Sequence, residues 1–406
     1  MHSISRRALG ALAAGGANVL AAPRPGRAQV GGPIKLGFTA ALTGPFNEFG
    51  EGIRRGAEIA VEDCNKAGGV NGRMVELAEV LDDQLVPDRA VQNLRRILDN
   101  REIVGLMAPS GSGPTLAVVD MVQADGRPII NPQAQTPTIV YPQGADKPPR
   151  PNVFSISISN TVEAEKLGQA LAGFSRIGVL HESTGYGVTG ADLVRKDFLA
   201  RRRDARITVE SYNQRAQDMT AQLVRVQRAG AEALLVIGLG ADFAVIRRNM
   251  SRLNMSPALF GTAGAVTVPY IEGAGDLVVG TRAVSHAALG RRPVHPAAQK
   301  FADLYRAKHG TDRWYGPDPA NPLVSLAGTV GSGYDCISLL IDAIRRAGST
   351  AAPDLVRALD QTKDFPGATI PAITFTPQQH TALKVEDLGT YEMLKRGDRV
   401  VLELRE

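Results

Sequence analysis

From Ile34 onward, short apolar runs alternate with stretches whose apolar residues recur at helical spacing. The runs 34–39, 74–81, 103–107 and 128–131 read as strands, and 50–66, 86–100 and 114–124 between them read as helices. The proline-rich stretch 142–151 (PQGADKPPRP) breaks this rhythm and reads as a loop or linker. The alternation then resumes, with helices expected at 161–174, 186–200, 219–229 and 241–253 and strands at 177–180, 206–212, 233–237, 258–260 and 277–280. Helices return at 296–309, 333–346 and 353–360, and the tail reads as strands at 372–375, 391–395 and 400–404. Strand–helix alternation at this spacing builds a parallel sheet covered by helices on both faces. The fold class expected is α/β, with two doubly wound parallel-sheet lobes. In such sheets a ligand sits beyond the C-terminal ends of the strands. The proline- and glycine-bearing stretch 316–333 either covers that cleft or is a surface insertion.

The residues before Ile34 follow a different rule. Paired Arg6-Arg7 precedes an Ala/Gly/Leu run to Ala22 and a small-x-small site at Gly26-Arg27-Ala28. That order predicts an export signal of the twin-arginine kind over 1–28, a mature chain starting near Gln29 and a periplasmic destination. The apolar run is too short and glycine-rich to span a bilayer stably. Removing 1–28 also changes the charge. The whole chain has 46 Lys+Arg against 41 Asp+Glu, but the segment holds four arginines and no acid, so the remainder is 42 against 41. Near-neutral charge argues against a nucleic-acid partner. The run Arg201-Arg202-Arg203 reads as a solvated helix end, where cations meet exposed carbonyls.

The remaining 378 or so residues suit two domains. Cys64 and Cys336 each fall on an apolar helical stripe. Spacing leaves open whether they are buried thiols or, in an exported protein, a disulfide. No His/Cys pair has metal-ligand spacing, so no metal is expected.

Catalytic motifs are missing: there is no GxSxG elbow, Walker loop or HExxH pair. Gly238-Leu239-Gly240 follows a strand, but the third glycine of a dinucleotide fingerprint would fall at Phe243, so no cofactor is expected. His181 reads as a packed residue at a strand end, and His286, His295, His309 and His380 lack a partner at useful spacing. Asp82-Asp83 suits turn and helix-start duty. No catalytic residue is assigned. The loops after strands carry more. They read LTGPFNEFG (42–50), APSGSGPT (108–115) and NPQAQTP (131–137). Free amides at a helix start, with the Ser112 hydroxyl beside them, can hold a carboxylate. Ser112 as a simple helix cap is the other reading.

The ordered set TGPFNEFG (43–50), GAEIAVEDCNKAGGVNGR (56–73), DDQLVPDRAV (82–91), GSGPT (111–115), INPQAQTP (130–137) and HESTGYG (181–187) closely resembles the type I periplasmic binding proteins, on the leucine/isoleucine/valine-binding branch of ABC transporter receptors. The resemblance implies two lobes joined by three chain crossings, near 155–160, 282–286 and 371–375. The first lobe would be 34–156 plus 286–370, and the second 157–285 plus 371–406. It also implies a monomer that holds a small ligand between its lobes and presents the closed form to a membrane permease. Phe49 matches an aromatic wall, Ser112 the serine on the ligand carboxylate, and Tyr186 a tyrosine of the second lobe. Gln133, Ala134 and Gln135 match an Ala-Ala-Thr stretch that supplies backbone and hydroxyl groups, with Gln135 replacing the threonine.

One departure is informative. Ala263 stands where amino-acid binders of this branch carry a glutamate for the ligand ammonium, and Gly240 stands near the place of a second aromatic. A buried ammonium without a counter-charge is costly. Either another carboxylate, Asp242 or Glu272, substitutes, or the ligand has no α-amino group. The expected ligand is therefore a small carboxylate, aromatic or otherwise, without that group. A branched-chain or other amino acid is the alternative within the same importer class. A ligand sensor of the same fold is a further rival. An exported α/β enzyme would need a nucleophile–base pair that the sequence does not offer.

Overall fold

The computed structural model describes residues 31–316 and 326–405, so the expected export segment and residues 317–325 of the stretch 316–333 lie outside the described residues. Among the described residues the chain forms two sheets. The first half lays down β1 (Ile34–Ala40), α1 (Asn47–Lys66), β2 (Val75–Asp82), α2 (Pro87–Asp99), β3 (Ile103–Met107), α3 (Ser112–Asp125), β4 (Ile129–Asn131) and β5 (Val153–Ser155). These strands pair in parallel in the order β2-β1-β3-β4-β5.

The chain then builds α4 (Asn160–Leu171), β6 (Arg176–Glu182), α5 (Gly185–Arg201), β7 (Arg206–Tyr212), α6 (Thr220–Arg228), β8 (Ala233–Ile237), α7 (Gly240–Arg252), β9 (Ala258–Gly261), α8 (Val268–Ala274) and β10 (Arg282–His286). It returns to the first sheet with α9 (Pro296–His309), α10 (Ser332–Ala347) and α11 (Ala352–Asp360), and ends in β11 (Leu388–Arg396) and β12 (Arg399–Arg405). The second sheet runs β12-β11-β10-β9-β8-β6-β7, parallel except for the ribbon formed by β10, β11 and β12.

Three differences from the sequence pattern have physical causes. The apolar run 277–280 is not a strand: a short 3-10 turn, Gly275–Val278, takes its place, and the strand is β10. Gly275 (φ 56°) and Gly280 (φ 84°) sit in left-handed conformations at its two ends, so the run turns instead of extending. β5 and α8, at three and seven residues, are too short to leave a period in the sequence. Residues 372–375 make only an isolated bridge, Phe365 to Ile373.

The third passage also comes later than 371–375. Ser155 exchanges main-chain hydrogen bonds with His380 (2.8 Å) and Ala382 (3.0 Å), and the Phe154 ring stacks on His380 and packs on Phe375. The chain stays on the edge of the first sheet through Ala382 and joins the second only at Leu388.

Helix α10 crosses α1 closely because glycine stands on both sides of the contact. A Cβ on Gly56 would lie 1.9 Å from the Val330 carbonyl oxygen, and one on Gly333 would lie 2.2 Å from that of Ile53. This crossing fixes the π-helical turn Leu326–Gly331 against the first lobe. Cys64 and Cys336 are both buried free thiols. Arg201 ends α5, and Arg202, its C-cap, donates to the Ala172 carbonyl at the end of α4 and not to a carbonyl of its own helix. No helix among the described residues is long and apolar enough to cross a membrane.

Candidate functional site

A cleft of about 1000 Å³ of unfilled space, open mouth included, lies between the sheets. Its walls come from the segments that follow β1 to β5 on one side and β6 to β9 on the other. These are the C-terminal ends of parallel strands, where amides and short side chains stay unpaired by the sheet. Ser285 and His286 at the end of β10, with Gly328 and Thr329, complete it where the chain returns to the first lobe.

Ser112 is 6 % exposed and lines the cleft at the first turn of α3. It does not cap its own helix: Gly111 holds the N-cap position, and Ser112 Oγ accepts from the amides of Gln135 (3.0 Å) and Thr136 (3.3 Å) in the next loop. With both lone pairs engaged, the hydroxyl proton is the group left to give. Beside it, the first amides of α3 have no acceptor within the helix. Together these donors offer an anion site.

Phe49, Gln133, Gln135, Tyr186 and Ala263 also line the cleft. The Gln135 amide is used on Ser112 and its carbonyl accepts from Asn160 (2.9 Å), tying the loop to the start of α4. The Tyr186 hydroxyl donates to Thr262 Oγ1 (2.7 Å), and burial pushes its pKa well up, so it stays a neutral wall. Ala134 does not line the cleft. Its side chain is in the core of the first lobe, and Asn131 holds both its amide (2.8 Å) and its carbonyl (2.6 Å). Gly240 leaves no room for a side chain, since a Cβ there would lie 2.0 Å from Thr267 Oγ1.

Neither carboxylate named as a substitute for the missing glutamate reaches the cleft. Asp242 is 2 % exposed and accepts from the Arg215 amide (3.3 Å), and Glu272 pairs with Arg313 (3.0 Å) on the surface. A third acid lies behind the wall. Glu163, 1 % exposed, accepts from the Ala263 amide (2.9 Å), and burial raises its pKa to about 8. Among the described residues lining the cleft there is no Asp, Glu, Lys or Arg, and no cluster of the described residues is built to hold a metal ion.

His286 was not legible as a site residue. It is 2 % exposed, lines the cleft, and neither ring nitrogen has a partner among the described residues. Burial lowers its pKa to about 4, so the ring is neutral. Its place at a chain crossing was the available sequence signal.

The lobes also touch across the cleft mouth. Glu48 on α1 accepts from the Val268 amide at the start of α8 (3.0 Å), and its other oxygen is buried without a partner among the described residues. Arg215 donates to the Gln84 carbonyl (3.0 Å), and its guanidinium lies 5.3 Å from the centre of the Phe46 ring.

Comparison with known proteins agrees with this architecture. The family model described as "Periplasmic binding protein" matches residues 33–391. A crystal structure of a type 1 periplasmic binding protein from Bordetella pertussis Tohama I is 49 % identical, with a TM-score of 0.89 over 92 % of this chain and all of that one. The Leu/Ile/Val-binding protein homolog 3 of Brucella melitensis is 26 % identical, covering 78 % of this chain and 80 % of its own length. A leucine-, isoleucine-, valine-, threonine- and alanine-binding protein of Pseudomonas aeruginosa is 25 % identical over 80 % and 82 %. The chain therefore belongs to the periplasmic binding protein family, in its type I form and on the leucine/isoleucine/valine-binding branch.

Proposed function

We propose that this chain is the extracytoplasmic receptor of an ABC importer, exported by the twin-arginine segment 1–28, and that it binds a small organic carboxylate without an α-amino group. It performs no covalent chemistry. It works as a monomer whose closed form is recognised by a membrane permease. Ligand contacts shift an open–closed equilibrium, and the shift is as large as the difference in contact energy between the two forms. The Ser112 hydroxyl and the start of α3 hold the carboxylate, and Phe49 and Tyr186 enclose the body.

The observation that carries the ligand reading is the uncharged cleft lining, with Ala263 at the place of the ammonium partner. Enclosing an ammonium there without a counter-charge would cost several kcal/mol, enough to abolish useful affinity. The relatives named for leucine, isoleucine and valine favour a second reading, an amino acid, in which Glu163 would supply the charge from behind Ala263.

Calorimetry on matched pairs separates the two. Leucine against 4-methylpentanoate, and phenylalanine against 3-phenylpropanoate, differ only by the α-amino group. Tighter binding of the des-amino members is the expected result. Binding of the amino acids alone would reject the carboxylate reading and leave the receptor role standing.

A further inference from the structure

We infer that the cleft has a second polar pole, made by His286 and Gln133, that receives a hydroxyl group, so that the guest is a hydroxycarboxylic acid. The inference rests on the carboxylate reading above and adds the chemistry of the ligand's other polar group. It starts from buried polar atoms that have no partner among the described residues. Buried polar groups in folded proteins are paired almost without exception, and each exception asks for an explanation. Here several lie at the walls of one cavity: Gln133 Oε1, Gln135 Oε1 and both ring nitrogens of His286, of which Gln133 and His286 share Gly328 as a neighbour.

The orientation of Gln133 is fixed by its own amide. Its Nε2 donates to the carbonyls of Gly328 (3.1 Å) and Thr329 (3.4 Å). Turning the amide over would set oxygen against two carbonyl oxygens, so Oε1 is held as an acceptor. Gly328 is also next to the imidazole: a Cβ there would lie 3.9 Å from His286 Nδ1 and 3.8 Å from Ser285 Oγ. Gln133 and His286 therefore both border Gly328 and line the same cleft.

The chemistry of this pole selects its guest. Gln133 Oε1 needs a donor. A neutral imidazole offers one N–H and one acceptor nitrogen. A second ligand carboxylate would face Oε1 as acceptor against acceptor. An ammonium would find no anion among the described lining residues. A hydroxyl satisfies both partners at once, giving its proton to Oε1 and accepting from the imidazole. The lowered pKa of His286 fits this neutral arrangement.

The test uses 3-phenylpropanoate and three hydroxylated relatives, with the hydroxyl on C2, on C3 or at the ring para position, titrated calorimetrically into the whole chain. At least one hydroxylated acid should bind about tenfold more tightly than the parent, as two neutral hydrogen bonds allow. The gain, taken within each protein as the ratio of hydroxylated to parent affinity, should fall below threefold in His286→Leu and in Gln133→Met. No gain from any hydroxyl position in the wild-type protein overturns the proposal, and so does a gain that survives in both variants. If one variant does not fold, the other and the wild-type comparison still decide. Parent acid binding without a hydroxyl gain sinks this inference alone. Failure of every carboxylate sinks the underlying reading as well.

Discussion

Ser112 has one oxygen and three tasks, and that sets what its removal should do. Its oxygen holds the amides of Gln135 and Thr136, and its proton is left for a ligand anion. Ser112→Ala should weaken carboxylate binding by roughly 1–3 kcal/mol, the loss of a hydrogen bond to a charged group, as read by calorimetry. The same change strands two amides, so the thermal midpoint of the ligand-free protein should also drop. Unchanged affinity would remove Ser112 from the site. At this scale the sequence was partly readable. Ser112 could be found because a glycine-flanked serine after a strand and before a helix has few places to go. Ala134 was misplaced because loop position does not say which main-chain groups are already taken, and Asn131 takes both of its own. His286 stayed hidden because its neighbours Gln133 and Gly328 come from distant parts of the chain.

Among the elements, the crossing of α1 and α10 depends most on a single atom. Gly56→Ala would drive a methyl to within 1.9 Å of the Val330 carbonyl oxygen, where backbone, not a flexible side chain, is in the way. Separating the helices should cost about 1–3 kcal/mol of stability, measured as a lower denaturant midpoint with an unchanged slope. Because Gly328 and Thr329 lie in the turn that enters α10, ligand affinity should fall too. Wild-type stability in this variant would mean that the crossing is less tight than described. The long helices and the buried strands were legible because each repeats its apolar period over several turns or residues. Short elements such as β5 and α8 exist only through tertiary pairing, which no local pattern encodes.

At the scale of the whole molecule, the contact between the lobes holds Glu48 out of water, and the proposed opening would return it. Its carboxyl is 4 % exposed, and burial raises its pKa from the ordinary 4.5 to about 7 against the hydrogen bond from Val268 and the attraction of Arg313, with Glu272 adding slight repulsion. The raised value means that the closed form binds a proton more tightly than the open form. Closure is therefore most favourable below about pH 4.5, loses strength as pH rises towards 7, and is level above that. Ligand affinity should weaken between pH 5.5 and 7.5, by on the order of 2 kcal/mol at most. Glu48→Gln keeps an acceptor for the Val268 amide and should flatten this profile in calorimetry. A profile as steep in the variant as in the wild type would exclude Glu48 as its source. The two-lobed plan was visible in the sequence as one rhythm interrupted once. The later third passage was not, because it is decided by Phe154 stacking on His380, residues far apart along the chain.

Those three passages restrict how the molecule can move. Two bodies tied by a single peptide could swivel in any direction, but ties at three separate points restrict sliding and twist of one body against the other. A guest of the wrong girth then shows itself as a wrong angle between the halves. A transporter gripping both halves could reject it by that angle alone, without ever touching the solute.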